Sequence, residues 1–191
     1  MRVFVSGGSK SGKSYYAQRI AKEQSRGGSG AQGLYYIATM RPADGEDEAR
    51  IEKHRDEREG WGFTTVEQPA DLSNVLSVCD KDGSFLLDSL TALLANEMFL
   101  PDGSINQGAA EKIKAELTAV ISAVRDIVIV SDNIFSDAMV FDPITEGFRR
   151  SLAEIDRAAV RACDTVLEVV YSTVVVHKSS EAFDALYQTI R

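Results

Sequence analysis

The sequence predicts an α/β fold: a mostly parallel sheet flanked by helices, with antiparallel strands at its C-terminal edge. Three observations lead there. Short β-rich runs alternate with helical segments along the chain, the pattern of strands joined through helices into a parallel sheet. A glycine-rich loop joins the first strand to the first helix. Near the end, two strand-like runs follow each other closely enough to form a hairpin.

The opening RVFVS, residues 2–6, is a short β-rich run that ends in glycines. Residues 14–24 follow with helix-forming composition, and Ala17, Ile20 and Ala21 are spaced for one buried face. Residues 25–33 (SRGGSGAQG) read as a surface loop. Residues 34–39 (LYYIAT) read as a second strand, completing a βαβ unit. Residues 44–59 have helical composition with Ile51 as their only large aliphatic residue, so the expected helix projects from the body.

Residues 75–78 form a short helical turn before the strand FLLD at 85–88. A helix is expected over 90–99, stopped by Pro101-Asp102-Gly103, and another over 109–125 with Ile113, Leu117, Val120, Ile121 and Val124 in period. IVIVS at 127–131 reads as a further strand and residues 148–163 as an amphipathic helix. Residues 165–171 and 173–177 are the closing strands, and the tail after Lys178 is a short helix capped by Ser179 or Ser180.

A length of 191 residues fits one domain at about 150 residues per domain, and 44% hydrophobic with 26% charged residues suffices for a core. With 21 basic against 29 acidic residues the formal charge is −8, which argues against a broad surface for nucleic acid or anionic lipid. No run approaches the roughly 20 apolar residues of a membrane span. The opening MRVFVSGGSKSGKS lacks signal-peptide organisation. Cys79 and Cys163 stand alone without a CxxC, so neither a zinc ribbon nor a disulfide framework is supported. A reduced, cytoplasmic protein is the expectation.

Gly7-Gly8-Ser9-Lys10-Ser11-Gly12-Lys13-Ser14 satisfies G-x-x-x-x-G-K-[ST] and lies between a strand and a helix, where its mechanism requires it. Successive backbone N–H groups there converge on phosphate oxygens, with the helix N-terminus adding positive potential. Lys13 would reach the β- and γ-phosphates and the Ser14 hydroxyl would bind Mg²⁺. The metal also needs a carboxylate at a nearby strand end. Asp88, closing FLLD, and Asp132, closing IVIVSD, both qualify.

Arg50, His54 and Arg58 lie at i, i+4 and i+8 and share one face of a helix. Two guanidiniums beside an imidazole form an anion site and favour the unprotonated, nucleophilic ring. Such a histidine can hold a nucleotide α-phosphate as a phosphoramidate. Spacing alone leaves open a solvated charged helix. His177, closing VVVH, reads as a strand-end residue.

Four segments in order are VSGGSKSGKS, YIAT at 36–39, RIEKHRDER at 50–58 and LLDSLTALLAN at 86–96. Together they resemble the bifunctional adenosylcobinamide kinase / adenosylcobinamide-phosphate guanylyltransferase family of cobalamin biosynthesis. The third is the most specific, meeting R-I-x-x-H-x-x-x-R at every fixed position. The resemblance runs from Met1 to about Lys178.

It implies a RecA-like P-loop NTPase fold and a two-step activity on a corrinoid substrate, adenosylcobinamide. ATP or GTP phosphorylates the hydroxyl of its aminopropanol arm, and GTP then guanylylates a histidine that passes GMP to the phosphate. His54 matches that histidine and, with Lys13, is the implied catalytic pair. Implied nucleotide contacts are the loop residues 7–14, Ala38, Thr39, Met40, Arg55, Asp56, Glu57, Arg58, Glu67 and Asp88. Ser14 and Asp88 are the implied Mg²⁺ ligands, and a homo-oligomer is implied, trimeric in the best-known case.

The stretch 132–141 (DNIFSDAMVF) departs from the family's N-E-V-G and G-I-V-P-like segments, losing both glycines and the proline. Bulky residues there imply a remodelled corrinoid side. Two other readings stay beside this one: a P-loop small-molecule kinase in which His54 only orients phosphate, and a non-catalytic nucleotide-binding module.

Overall fold

The structure, a computed structural model, describes residues 1–27, 33–41 and 60–190. The helix expected over 44–59, with Arg50, His54, Arg55, Asp56, Glu57 and Arg58, lies outside the described residues.

The strands are β1 (Arg2–Gly7), β2 (Leu34–Ala38), β3 (Thr64–Glu67), β4 (Ser84–Asp88), β5 (Asp126–Asp132), β6 (Thr165–Val170) and β7 (Thr173–Lys178). The helices are α1 (Lys13–Arg26), α2 (Val75–Val78), α3 (Leu90–Met98), α4 (Ala109–Ala123), α5 (Pro143–Ala162) and α6 (Glu181–Ile190), with a 3₁₀ turn at Leu72–Asn74. The strands form one seven-stranded sheet in the order β3-β2-β4-β5-β1-β6-β7. All neighbours pair in parallel except β6 and β7, the expected antiparallel edge.

Alternation along the central strands divides the core between two faces. Phe4, Ile37, Phe85, Leu87, Ile127 and Ile129 pack toward Leu90, Leu93, Ile113, Leu117, Leu152 and Ile155 of α3, α4 and α5. Val3, Val5, Leu86, Val128 and Val130 face the other way, onto Ala17, Ile20 and Ala21 of α1 and Phe183 and Ile190 of α6. Each fully buried large aliphatic or aromatic side chain contributes about 1.5–3 kcal/mol of transfer free energy. The fully buried Ala17 and Ala21, with no more than a methyl each, let α1 lie close on the strands that position the loop.

Three departures from the sequence expectations have local causes. β3 was not anticipated: it is a four-residue strand at the sheet edge, with only Val66 half-buried, so it shows no apolar alternation. α5 begins at Pro143 rather than 148, because Asp142 caps it by accepting from Ile144 and Thr145 N–H and Pro143 occupies the first turn. β2 ends at Ala38, and Thr39 turns away to bond Ser89. The tail helix is present as α6, with Ser180 Oγ accepting the Phe183 N–H at 3.3 Å.

Candidate nucleotide-binding site

Register places Gly7, Ala38, Glu67, Asp88 and Asp132 at one end of the sheet. Ala38 pairs with Glu67 on β3 and with Asp88 on β4. Gly7 pairs with Asp132 on β5 and with Val169 on β6. The C-terminal ends of β1 to β5 thus bring residues from five separate strands to one end of the sheet, where open parallel sheets bind ligands.

The loop after β1 is shaped by two glycines. A Cβ on Gly7 would stand 2.6 Å from both Ser11 Oγ and the Val169 carbonyl, so only a bare Cα fits. Gly12 has φ 94 and caps α1 without any side-chain hydrogen bond to its first turn. The N–H groups at the start of this 14-residue helix are therefore not capped by a side chain, and the helix dipole adds positive potential. That is an anion-binding geometry.

Lys13 opens the helix with its ammonium 2.7 Å from Asp132 Oδ1 and 3.3 Å from the Gly8 carbonyl. Its side chain is largely buried, at 11% exposure against 30% for Asp132. The Thr91 hydroxyl in turn accepts the Asp132 N–H at 3.0 Å, fixing the end of β5 to α3. Gly7 O accepts the Asn133 N–H at 3.0 Å, tying the loop to the chain leaving β5.

Asp88 ends β4 with Oδ2 accepting the Tyr36 hydroxyl at 3.0 Å. Ser89 N–H donates to Thr39 Oγ1 at 2.7 Å and Thr39 Oγ1 donates to Ser89 O at 2.8 Å, a reciprocal clamp that is fully buried. Asn96 Nδ2 bridges the Thr39 and Pro69 carbonyls at 2.7 and 3.0 Å. The Ala38, Thr39 and Met40 turn is thereby fastened to α3, beside Asp88. Tyr36, Thr91 and Asn96 lie in the segments that carry the resemblance but had no individual role assigned from the sequence; their bonds to Asp88, Asp132 and Thr39 each join residues more than 40 apart.

The Ser14 hydroxyl stands at the start of α1 and the Asp88 carboxylate at the end of β4, both oxygen donors of the kind a hard cation takes. Mg²⁺ takes one or two such protein ligands together with phosphate oxygens, so these residues fit it. Among the described residues no group of three or more His, Cys, Asp or Glu is arranged for a metal.

Behind the site, burial pushes the Asp156 carboxyl up to about 7; the Ser131 hydroxyl opposes this and the Asp132 charge adds to it. His177 is exposed on β7 and bonds Glu168 across the hairpin at 2.8 Å, away from this site. Cys163 is buried, which pushes its thiol up to about 12, and both cysteines are free. Among the described residues no helix is long and apolar enough to cross a membrane.

A glycine-rich phosphate loop between β1 and α1, at the C-terminal ends of the strands of a mostly parallel sheet, defines a P-loop nucleotide-binding protein of RecA-like fold. Residues 3–176 match the family described as cobinamide kinase / cobinamide phosphate guanyltransferase, and the chain belongs to that family. Among curated proteins it is 28% identical over 182 residues to the bifunctional adenosylcobalamin biosynthesis protein CobU of Escherichia coli (strain K12), covering 89% of this chain and 96% of that protein. It is 35% identical over 114 residues to the bifunctional adenosylcobalamin biosynthesis protein CobP of Pseudomonas aeruginosa, covering 59% of this chain and 62% of that protein. Among solved structures, a KaiC-like protein from Pyrococcus horikoshii OT3 shares the fold with a TM-score of 0.52 at 12% identity, over 94% of this chain and 79% of that one.

Proposed function

We propose that this chain is a bifunctional adenosylcobinamide kinase and adenosylcobinamide-phosphate guanylyltransferase. The family match over residues 3–176 carries the reading, and the phosphate loop with Lys13 at its mouth supports it. In the first reaction the corrinoid hydroxyl oxygen attacks the γ-phosphorus of ATP or GTP. The bond to the bridging oxygen breaks, the diphosphate leaves, and the hydroxyl proton passes to solvent. The loop residues 7–14 hold the phosphates through backbone N–H groups, while Lys13 neutralises charge on the β- and γ-oxygens. Ser14 and Asp88 would hold Mg²⁺, which would neutralise charge on the phosphate oxygens.

In the second reaction an imidazole nitrogen of His54 attacks the α-phosphorus of GTP and pyrophosphate leaves. An oxygen of cobinamide phosphate then displaces the imidazole and takes the GMP. Arg55, Asp56, Glu57, Arg58, Glu67 and the turn of Ala38, Thr39 and Met40 complete the nucleotide contacts. The reading includes one nucleotide-binding domain, a cytoplasmic setting and a homo-oligomer, a trimer as the resemblance implies.

Single-residue variants separate the two reactions. Lys13→Ala is expected to lose phosphorylation of adenosylcobinamide. His54→Ala is expected to keep phosphorylation and lose GMP transfer from GTP. A His54→Ala enzyme that still transfers GMP would contradict the covalent route.

A further inference from the structure

The turn between β6 and β7 consists of Tyr171 and Ser172, both left-handed, with φ 49 and φ 58. Two-residue hairpins of this kind favour asparagine followed by glycine, because L side chains resist positive φ. Tyr171 is also 94% exposed. A large ring at a strained tip, bare to solvent, adds nothing to the core, and such outliers mark places where function sets the residue.

The turn is fastened to the phosphate loop. Ser172 N–H donates to the Ser11 carbonyl at 2.9 Å. Tyr16, in the first turn of α1, donates its hydroxyl to the Ser172 carbonyl at 2.9 Å. Ser172 lies so close to Gly12 that a Cβ there would be 3.2 Å from its Oγ. Two hydrogen bonds and this close approach therefore hold Ser172, and with it the backbone of the neighbouring Tyr171, at the flank of the loop.

Strand order decides which flank. Gly7 is paired on one side with Asp132 of β5 and on the other with Val169 of β6. The Lys13 ammonium lies on the β5 side, against Asp132, and Asp88 of β4 lies one strand further. A nucleotide with its β- and γ-phosphates at Lys13 directs its α-phosphate and nucleoside to the opposite side. The β6–β7 turn stands there.

We propose that Tyr171 is the stacking platform for the purine base of the nucleotide held by residues 7–14, an inference that rests on the nucleotide-binding reading above. Its ring covers one π-face of the base. Stacking of this kind does not distinguish adenine from guanine, since each presents such a face. The platform therefore serves ATP and GTP alike, and the first reaction accepts either donor.

The test is calorimetric titration of the full chain with GTP, ATP and inorganic tripolyphosphate, which has no base. Tyr171→Asn keeps a residue that tolerates left-handed backbone and removes the ring; Tyr171→Phe keeps the ring. The expected result is GTP and ATP binding weakened about 5- to 150-fold in Tyr171→Asn, from the usual worth of one aromatic–base stack. Tripolyphosphate affinity stays unchanged, and Tyr171→Phe binds GTP like the parent. Unchanged GTP binding in Tyr171→Asn, with GTP binding lost in Lys13→Ala, overturns the platform and keeps the phosphate loop. Equal weakening of GTP and tripolyphosphate overturns it too, because the turn then acts through the loop's shape. If the parent chain binds neither GTP nor tripolyphosphate, the nucleotide-binding reading falls and the platform with it.

Discussion

Lys13 Nζ stands 2.7 Å from Asp132 Oδ1, so the cation the phosphate loop offers to a nucleotide is already engaged by the end of β5. A triphosphate must compete with that carboxylate. Asp132→Asn removes the competitor and a negative charge beside the phosphates. A partly exposed pair of this kind is worth up to about 1 kcal/mol, so GTP binding without Mg²⁺ is expected to tighten by up to about 5-fold. Calorimetry in chelator checks this, and unchanged affinity would show that Lys13 is not drawn from Asp132.

On the proposed reading Lys13 meets the transferring phosphoryl group, and Lys13→Ala removes that charge. Loss of one preorganised donor of this type costs about 10²- to 10³-fold in kcat. Steady-state phosphorylation of adenosylcobinamide at saturating ATP is the measurement, with circular dichroism to confirm the fold.

Asp156 links pH to stability. Burial raises its folded value to about 7 from 3.8, so the folded state binds more protons than the unfolded state between those values. The corresponding stability is fully present below pH 3.8 and is lost as pH rises through about 7. Asp156→Asn is expected to flatten this dependence, stabilising the protein at pH 8 by up to about 4 kcal/mol and changing it little in acid. Urea unfolding of both proteins at pH 5 and pH 8 checks the sign; an equal effect at both would contradict it.

Lys112 gathers three carboxylates: it pairs with Asp71 at 2.8 Å, with Glu97, and with Glu116 at 3.5 Å. Glu97 and Glu116 also accept the Asp71 and Leu72 N–H groups at 2.8 and 2.9 Å, anchoring the chain that follows β3. Lys112→Met leaves the carboxylates facing one another with Glu97 nearly buried, and is expected to cost about 2–4 kcal/mol in thermal or urea unfolding.

The parts of the site legible in the sequence are those whose chemistry is local. The β1–loop–α1 unit announces itself because glycines, lysine and serine at fixed spacing serve one ligand geometry. Asp88 and Asp132 were visible as acids closing apolar runs. Which partner each takes was not, because Tyr36 reaches Asp88, and Lys13 reaches Asp132, only through the strand order. β3 stayed hidden for want of an apolar face, and the first turn of α5 because its signal is the Asp142–Pro143 cap rather than periodicity. The contact of Ser172 with the loop had no sequence signature, since a hairpin turn does not state what it touches.

The measurement that bears most directly on the proposed chemistry is the intact mass of the protein after incubation with GTP and Mg²⁺, beside His54→Ala treated in the same way. The expected result is a GMP-sized, acid-labile adduct on the parent chain and none on the variant. A parent chain that binds GTP and gains no adduct would contradict guanylyl transfer through His54.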